Sequence, residues 1–197
     1  DNRFLYEGGN PTLQPEKVFN VEAMMIYKWL NVSVGYKYLK DVMEWTKYIY
    51  PGKEFAYNTS LNFDHKQLLY ASVHVSPKFG IFRPTWGFNY NQQFFDTKKY
   101  GASKALSKPL LSCSLNNNFA LSETMNAAIW LNASTTHADG FLMMKSDYSV
   151  NLQFDKSFAN RTWIIYLSAN DIFKTAKERW TMYGLGAGTT KDCYNYT

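Results

Sequence analysis

Few side chains in this sequence have the types and spacing that chemistry requires. His65, His74 and His137 are the only histidines, and their separations of nine and sixty-three residues match no local metal-binding pattern. Cys113 and Cys193 are too far apart to form the short-spaced pair of a metal site, and counting alone leaves open whether they form a disulfide. The sequence therefore predicts no metal ligand.

The carboxylates of the sequence do not indicate catalysis either. Glu22, Glu44 and Glu54 fall at the ends of predicted strands or in loops. A pair of catalytic carboxylates needs a fixed separation, which the spacing of these residues does not define. We therefore predict no catalytic residue, no cofactor and no cofactor-binding residue, and no enzymatic activity.

The charge pattern also excludes a class of partner. The net charge is +5, but apart from the adjacent Lys98 and Lys99 most basic residues stand alone. Nucleic-acid binding requires a concentrated basic stripe, so no nucleic-acid partner is expected. Charged residues make up only 19% of the chain against roughly 25% in soluble domains, while aromatic residues reach 18%. This balance suits strands with one apolar face and one polar but mostly uncharged face.

The elements that hold these residues are predicted to be strands. No run of eighteen apolar residues exists, which excludes a transmembrane helix, but a membrane-spanning strand needs only about 9–11 residues with alternate ones apolar. Period-two alternation is strong, and helical periodicity is nearly absent outside 171–179. We predict eight strands, at 17–29, 30–43, 55–76, 83–95, 108–120, 124–136, 144–155 and 161–170.

The connections between these strands alternate in length. Short turns are predicted near Trp29, at 77–82, at 121–123 and at 156–160, and longer loops at 44–54, 96–107 and 137–143 and after 170. A split of the long third strand at the polar run Asp64–Gln67 would destroy this regularity, so one strand is preferred. Short turns at one rim and long loops at the other are typical of outer-membrane barrels. The predicted fold is all-β, an antiparallel up-and-down transmembrane β-barrel.

Two stretches carry a resemblance to a known family. Residues 8–16 read GGNPTLQPE before an alternating strand, and TWIIYLSAN runs into Asp171, Ile172 and Phe173 near the other end. The first resembles the GNP-x-L-x-PE signature that precedes a barrel strand in TonB-dependent transporters, particularly of Bacteroidetes. The second resembles the family's penultimate strand, which ends in Asn-Asp-hydrophobic-Phe. The order and spacing match over nearly the whole chain.

The resemblance implies a location and a set of partners. It places the chain in the bacterial outer membrane, in contact with the lipid bilayer, as part of a barrel that takes up an iron chelate, cobalamin or a glycan. It also implies a plug domain, a TonB-type energy-coupling protein and a possible surface lipoprotein as partners. The chain departs from the family in ending at Thr197 without a final aromatic-closing strand and in having no plug of its own. Residues 1–197 are therefore expected to be a single barrel segment of about eight strands from a larger barrel.

Two further expectations follow from the alternation. Leu115, Ile129, Leu131, Val150, Leu152 and Leu167 should form one surface belt, with Asn116, Asn126, Ser149 and Asn151 on the opposite face. Eight strands of a larger barrel form an open sheet with two bare edges, so the isolated segment should not be a stable monomer in water. The alternative is a soluble or secreted β-sandwich or small barrel that binds carbohydrate, with the apolar faces turned inward.

Overall fold

A computed structural model describes residues 5–49, 56–102, 105–160, 162–185 and 193–196. The regular structure of these residues is β-strand throughout. The strands are β1 (Leu5–Glu7), β2 (Lys17–Tyr27), β3 (Leu30–Ile49), β4 (Ala56–Val75), β5 (Phe82–Phe94), β6 (Leu110–Ser122), β7 (Met125–Ser134), β8 (His137–Asp139), β9 (Leu142–Met144), β10 (Asp147–Phe158), β11 (Trp163–Ala169), β12 (Lys177–Met182) and β13 (Cys193–Tyr196). No helix in the described ranges has the length and apolar character that crossing a membrane requires.

The main sheet follows the chain order. Eight of its strands lie in the order β11-β10-β7-β6-β5-β4-β3-β2, each antiparallel to its neighbours in this order, and the short β1 pairs in parallel with β4 off this path. The prediction of an all-β fold with sequential antiparallel neighbours is thus confirmed. The sheet is open over the described residues, with β2 and β11 at its two edges.

The two rims of the sheet differ as predicted. Tight connections join β2 to β3, β4 to β5, β6 to β7 and β10 to β11 at one rim, which we call the short-turn rim. The opposite rim, the long-loop rim, carries the β3–β4 end, residues 95–109, residues 135–146 and the chain after β11. Residues 50–54 of the predicted loop 44–54 lie outside the described residues. The rest of that loop, up to Ile49, is strand, so β3 is longer than predicted.

The strand register separates an apolar from a polar face. Leu131 pairs with both Leu115 and Val150, and Ile129 pairs with Leu152. Residues that pair directly across antiparallel strands share a face, so these side chains form one row, the apolar face. The intervening row is polar: Trp130 pairs with Asn116 and Asn151, Ser149 with Asn132, and Asn126 with Asp155. The predicted belt and its opposite face are confirmed.

Asn117 is a polar residue that lies on the apolar face. Asn117 pairs with Ile129 and with Pro84, so its side chain shares the row of Leu115. Its Oδ1 accepts a hydrogen bond of 3.0 Å from Nε1 of Trp86, whose partner on β6 is Leu115. The bond offsets the free-energy cost of placing these two polar groups in an apolar environment.

The hairpin of β3 and β4 extends past its neighbours. β2 pairs with β3 only from Leu30 to Lys40, a length of eleven residues that suffices to cross the apolar layer. Asp41, with φ of +55°, then interrupts the pairing of β3 with β4, which resumes where Val42 pairs with Phe63. The part of the hairpin beyond Asp41 therefore rises above the sheet at the long-loop rim. The third predicted strand remains unsplit, because Asp64–Gln67 lies within β4.

Two stretches differ locally from the sequence pattern. The stretch 171–179, where some helical periodicity was noted, is a turn followed by β12, because Asp171 and Lys174 have φ of +44° and +54°, which a right-handed helix does not allow. The loop 137–143 is instead the hairpin β8–β9, which turns at Gly140 with φ of +53°. The Asp139-Gly140 dipeptide is a strong hairpin signal that the sequence already contains.

The loop strands form a second small sheet. Its order is β13-β12-β9-β8, and it stands at the long-loop rim. Neither sheet packs face to face on the other in the manner of a sandwich, and many large apolar side chains of the described strands are exposed, for example Leu167 at 60% and Phe19 at 62%. The predicted alternative of a soluble sandwich with inward apolar faces does not match this arrangement.

Candidate functional site at the long-loop rim

The opening segment lies across the raised part of the β3–β4 hairpin. The backbone N–H of Gly8 donates to the carbonyl of Asn58 at 3.3 Å, and Nδ2 of Asn10 donates to the carbonyl of Ser60 at 3.2 Å. Oδ1 of Asn10 also accepts from the backbone N–H of Thr12 at 3.0 Å, the local turn that Asn favours. The Gly-Asn-Pro part of the motif therefore docks the chain along β4.

The rest of the motif makes hydrogen bonds at the point where Asp41 interrupts the pairing of β3 with β4. The backbone N–H and carbonyl of Gln14 bond to the amide of Asn62 at 2.7 and 2.9 Å, and Nδ2 of Asn62 also donates to the carbonyl of Asp41 at 2.6 Å. The carboxylate of Glu16 accepts from the backbone N–H of Met43 at 3.1 Å. These bonds occupy backbone groups that are left unpaired where β2 ends. The Pro-Glu end of the motif therefore has a structural role.

Behind this hairpin lies the buried apolar cluster of the described chain. The rings of Phe63, Phe95 and Phe141 contact one another with centroids 4.9 to 5.7 Å apart. The rings of Tyr100 and Phe63 make an edge-to-face contact with centroids 4.8 Å apart. Phe141 is fully buried and Val42 is 2% exposed. Residues 95–102, 105–107 and 137–144 therefore fold onto the sheet, and we call them the rim cap.

A buried ion pair lies beside this cluster. Nζ of Lys66 is 2.6 Å from Oε1 of Glu44 and 3.6 Å from Oδ1 of Asp139, which belongs to the rim cap. The side chains of Lys66 and Glu44 are only 7% and 15% exposed. Lys66 also approaches the ring of Phe95 to 6.0 Å. The pair joins the raised hairpin to the rim cap.

Burial shifts the ionisation of this pair. Loss of solvent raises the pKa of Glu44, and the ammonium of Lys66 opposes this shift without cancelling it. Asp139 and Glu16 raise the pKa further by repulsion. Glu44 stands beyond the eleven residues of β3 that pair with β2, at the level of the rim cap.

Gln93 fastens the rim cap from below. Its Oε1 accepts from the backbone N–H of Gly140 at 2.8 Å, and its Nε2 donates to the carbonyls of Leu106 and Gly140 at 2.7 and 3.3 Å. Its side chain is 4% exposed, and Leu106 is fully buried. Gly140 is required here, because a Cβ atom would stand 2.0 Å from Oε2 of Glu44. One amide thus holds both loops of the cap.

The polar face below the cap forms a wall of uncharged groups. Asn116 Oδ1 and Trp130 Nε1 are buried, adjacent across the strands and without a hydrogen-bond partner. Further along, Oδ1 of Asn151 accepts the backbone N–H of Asp171 at 2.8 Å. The acceptor of Asn116 and the donor of Trp130 are buried by the chain itself and remain unpaired, which is a rare arrangement in a folded protein.

Two glycines let large rings lie flat on this wall. Gly35 pairs with Tyr70, and a Cβ atom at Gly35 would come 2.2 Å from Cζ of Tyr70. Gly87 pairs with His74 in the same way, with 3.1 Å to Nδ1. The hydroxyl of Tyr70 donates to Oδ1 of Asn20 on β2 at 2.9 Å. Both rings therefore lie along the wall, and the ring of Tyr70 spans β3 to join β4 to β2.

The histidines and cysteines are dispersed. His65 bonds Asp64 at 3.2 Å, His74 lies on the polar wall, and Nδ1 of His137 is 2.8 Å from the carbonyl of Thr135. Within the described ranges no group of three His, Cys, Asp or Glu side chains could hold a metal ion. Cys113 is a free thiol on the apolar face, and the side chain of Cys193 lies outside what is described. Glu54 also lies outside the described residues.

The second motif forms a turn at the end of β11. The carboxylate of Asp171 accepts from the backbone N–H groups of Thr175 and Ala176 at 2.9 and 3.0 Å and from the hydroxyl of Thr175 at 3.2 Å. The N–H of Thr175 in particular lowers the pKa of Asp171. The Asn-Asp-Ile-Phe sequence therefore directs the chain from β11 toward β12.

An antiparallel sheet with an apolar face, an uncharged polar face, short turns at one rim and structured loops at the other defines an outer-membrane β-barrel protein. The profile of the outer membrane protein beta-barrel family matches residues 1–196, and the chain belongs to this family. Its location is the bacterial outer membrane, where the apolar face contacts lipid. Comparisons with curated proteins and with solved structures found no match.

The sequence indicated some of these features and missed others. The two motifs stand at the rim where the resemblance implied surface loops. Gln93, Lys66 and Glu44 were not singled out as partners, since they lie on different strands and only the fold brings them together. The polar run around Lys66 was the available signal, because a lysine inside an alternating strand needs a partner if it is buried.

Proposed function

We propose that this chain forms part of the wall and outer mouth of a TonB-dependent transporter that takes up a nutrient across the outer membrane. The observation that carries the proposal is the role of the two motif segments. The residues of GNP-x-L-x-PE bond the raised hairpin, and Asp171 organises the turn after β11. Both segments therefore have specific structural roles at the rim, where the family carries its surface loops.

The polar wall supports the same proposal. Uncharged polar side chains pair across it, such as Ser149 with Asn132 and Asn116 with Trp130, as on a surface that another polar element or water covers. In a wide barrel a plug domain would occupy that position. The partners proposed are thus a plug, a TonB-type energy-coupling protein and, at the rim, a surface lipoprotein. No catalytic role is proposed for the chain.

Uptake in the bacterium that carries the protein tests this function. Strains that lack the protein containing this chain, or that lack the TonB-type energy-coupling protein, are compared with the parent for uptake of labelled iron chelates, cobalamin and oligosaccharides. Both deletions should abolish uptake of the same nutrient, and re-expression of the protein should restore it in the first strain. Uptake of every nutrient at the parental rate in the first strain, or uptake that persists without energy coupling, would contradict the proposal.

A further inference from the structure

A cavity of about 560 Å³ opens between the motif segment and the raised hairpin. Residues 9–12 form one side of it, and Tyr48, Tyr57, Thr59 and Leu61 form the other. Tyr48 and Tyr57 pair directly across β3 and β4, so their rings share one face of the hairpin. The volume lies in the range of small-ligand sites.

The ring of Tyr57 packs against Gly8, which has no side chain to displace it. A Cβ atom at Gly8 would stand 2.2 Å from the hydroxyl oxygen of Tyr57, so the ring rests against the backbone of the motif segment. The same segment is bonded to β4 at Gly8 and Asn10. The ring is therefore positioned before any ligand arrives, which reduces the ordering cost of binding.

Thr59 places a buried, unpaired hydroxyl beside this cavity. It lines the cavity and is only 6% exposed, yet its Oγ1 has no hydrogen-bond partner. A buried hydroxyl without a partner costs free energy, so its position calls for a group that bonds it. Thr46, its direct partner across the hairpin, is fully buried with an equally unpaired Oγ1 but is not among the cavity-lining residues.

The lining defines the chemical class of the ligand. Among the described residues, those that line the cavity are uncharged, so they offer an anionic iron chelate no counter-charge. Two tyrosine rings, the apolar surface of Leu61 and an unpaired hydroxyl suit a molecule that has both apolar C–H faces and hydroxyl groups. We propose that this cavity is a subsite for a sugar unit of a neutral oligosaccharide. The inference rests on the proposed transport function in that the sugar would be the nutrient captured at the outer mouth.

Binding by the purified full-length protein in detergent tests the subsite. Isothermal titration with maltohexaose, xylohexaose and cellohexaose is compared with titration of a ferric catecholate complex. One neutral oligosaccharide should bind, and Thr59→Val should weaken it about tenfold, the effect of one lost hydrogen bond. Tyr57→Ala should weaken it about tenfold or more, while Tyr57→Phe retains the ring and most of the affinity.

Thr46→Val is the matched control. It removes the same hydroxyl from the opposite residue, so its affinity should equal that of the unmodified protein. Because both hydroxyls are unpaired, neither valine variant should lower stability, and Thr59→Val remains decisive even if Tyr57→Ala fails to assemble.

The possible results distinguish failure of the subsite from failure of the transport function. Unchanged affinity in Thr59→Val and Tyr57→Ala, equal losses in Thr59→Val and Thr46→Val, or binding of the ferric complex alone would each overturn the subsite. Binding in detergent needs no energy coupling. A protein that binds the oligosaccharide through Tyr57 and Thr59 but shows no energy-dependent uptake would therefore refute the transport function and leave the subsite standing.

Discussion

Removal of Lys66 is expected to release the rim cap. In Lys66→Met the ammonium 2.6 Å from Glu44 is lost, and the carboxylate of Glu44 remains largely buried. Breaking a fully buried pair by removing one partner costs about 3–5 kcal/mol. Because Glu44 keeps some solvent access and Asp139 is 70% exposed, we expect roughly 2–4 kcal/mol at neutral pH.

The loss should depend on pH in a defined direction. Burial raises the pKa of Glu44, and loss of the Lys66 ammonium, which opposes this shift, raises it further in the variant. A group whose folded-state pKa is raised leaves stability intact below its unfolded pKa and reduces it as pH rises through the folded value. The destabilisation by Lys66→Met should therefore be smaller at pH 5 than at pH 8.

Hydrogen exchange of the full-length protein in detergent measures this effect locally. The amides of β8 and β9, at His137–Asp139 and Leu142–Met144, should exchange faster in the variant, while those of β7 stay protected. The double variant Glu44→Gln, Lys66→Met is the control, since it removes the stranded charge and should recover much of the protection. A change below about 0.5 kcal/mol at pH 8, or an equal change at both pH values, would refute the reasoning.

The remaining predictions concern the sheet, the turn and the assembly. Ile129→Arg on the apolar face should cost roughly 2–4 kcal/mol if it lies near the bilayer midplane; an unchanged yield of detergent-resistant barrel would count against lipid contact. Gly35→Ala should displace Tyr70 and lower the midpoint of urea unfolding, whereas an unaltered midpoint would show that the ring adapts freely. The lowered pKa of Asp171 makes its turn fully stable above about pH 3.8 and weakens it as pH falls below that value; exchange of the Thr175 amide should rise in acid, and Asp171→Ala should show no such pH dependence. The isolated chain in detergent-free buffer should associate, and light scattering that shows a folded, monodisperse 22.9 kDa species would contradict the open-sheet argument.

The strand pattern was largely readable from the sequence. Alternation such as Leu115 against Asn116 or Ile129 against Trp130 depends only on the two-residue repeat of a strand. One face must meet lipid and the other water, so every strand that crosses the membrane carries the same constraint. Connection lengths then fixed the neighbours and the two rims. The Asp139-Gly140 hairpin was equally readable, since its turn chemistry is local.

The site depended on contacts that alternation does not encode. Phe63 and Lys66 stand three residues apart on β4, so a strict two-residue repeat would place them on opposite faces, yet both reach Phe95. Near this point Asp41 interrupts the pairing of β3 and β4. Such an interruption forms only when distant groups, here Asn62 and Glu16, satisfy the backbone it frees.

The sequence by itself determined the class of fold and the faces of the strands, because both follow from short-range periodicity, and its resemblance to a known family implied the outer-membrane setting. Only the tertiary structure decided where the chain holds its rim cap and cavity. The Glu44–Lys66 pair, the amide of Gln93 and the unpaired hydroxyl of Thr59 acquire their roles from neighbours that are remote along the chain. Burial and hydrogen-bond satisfaction are properties of the packed molecule, so no local pattern could assign them.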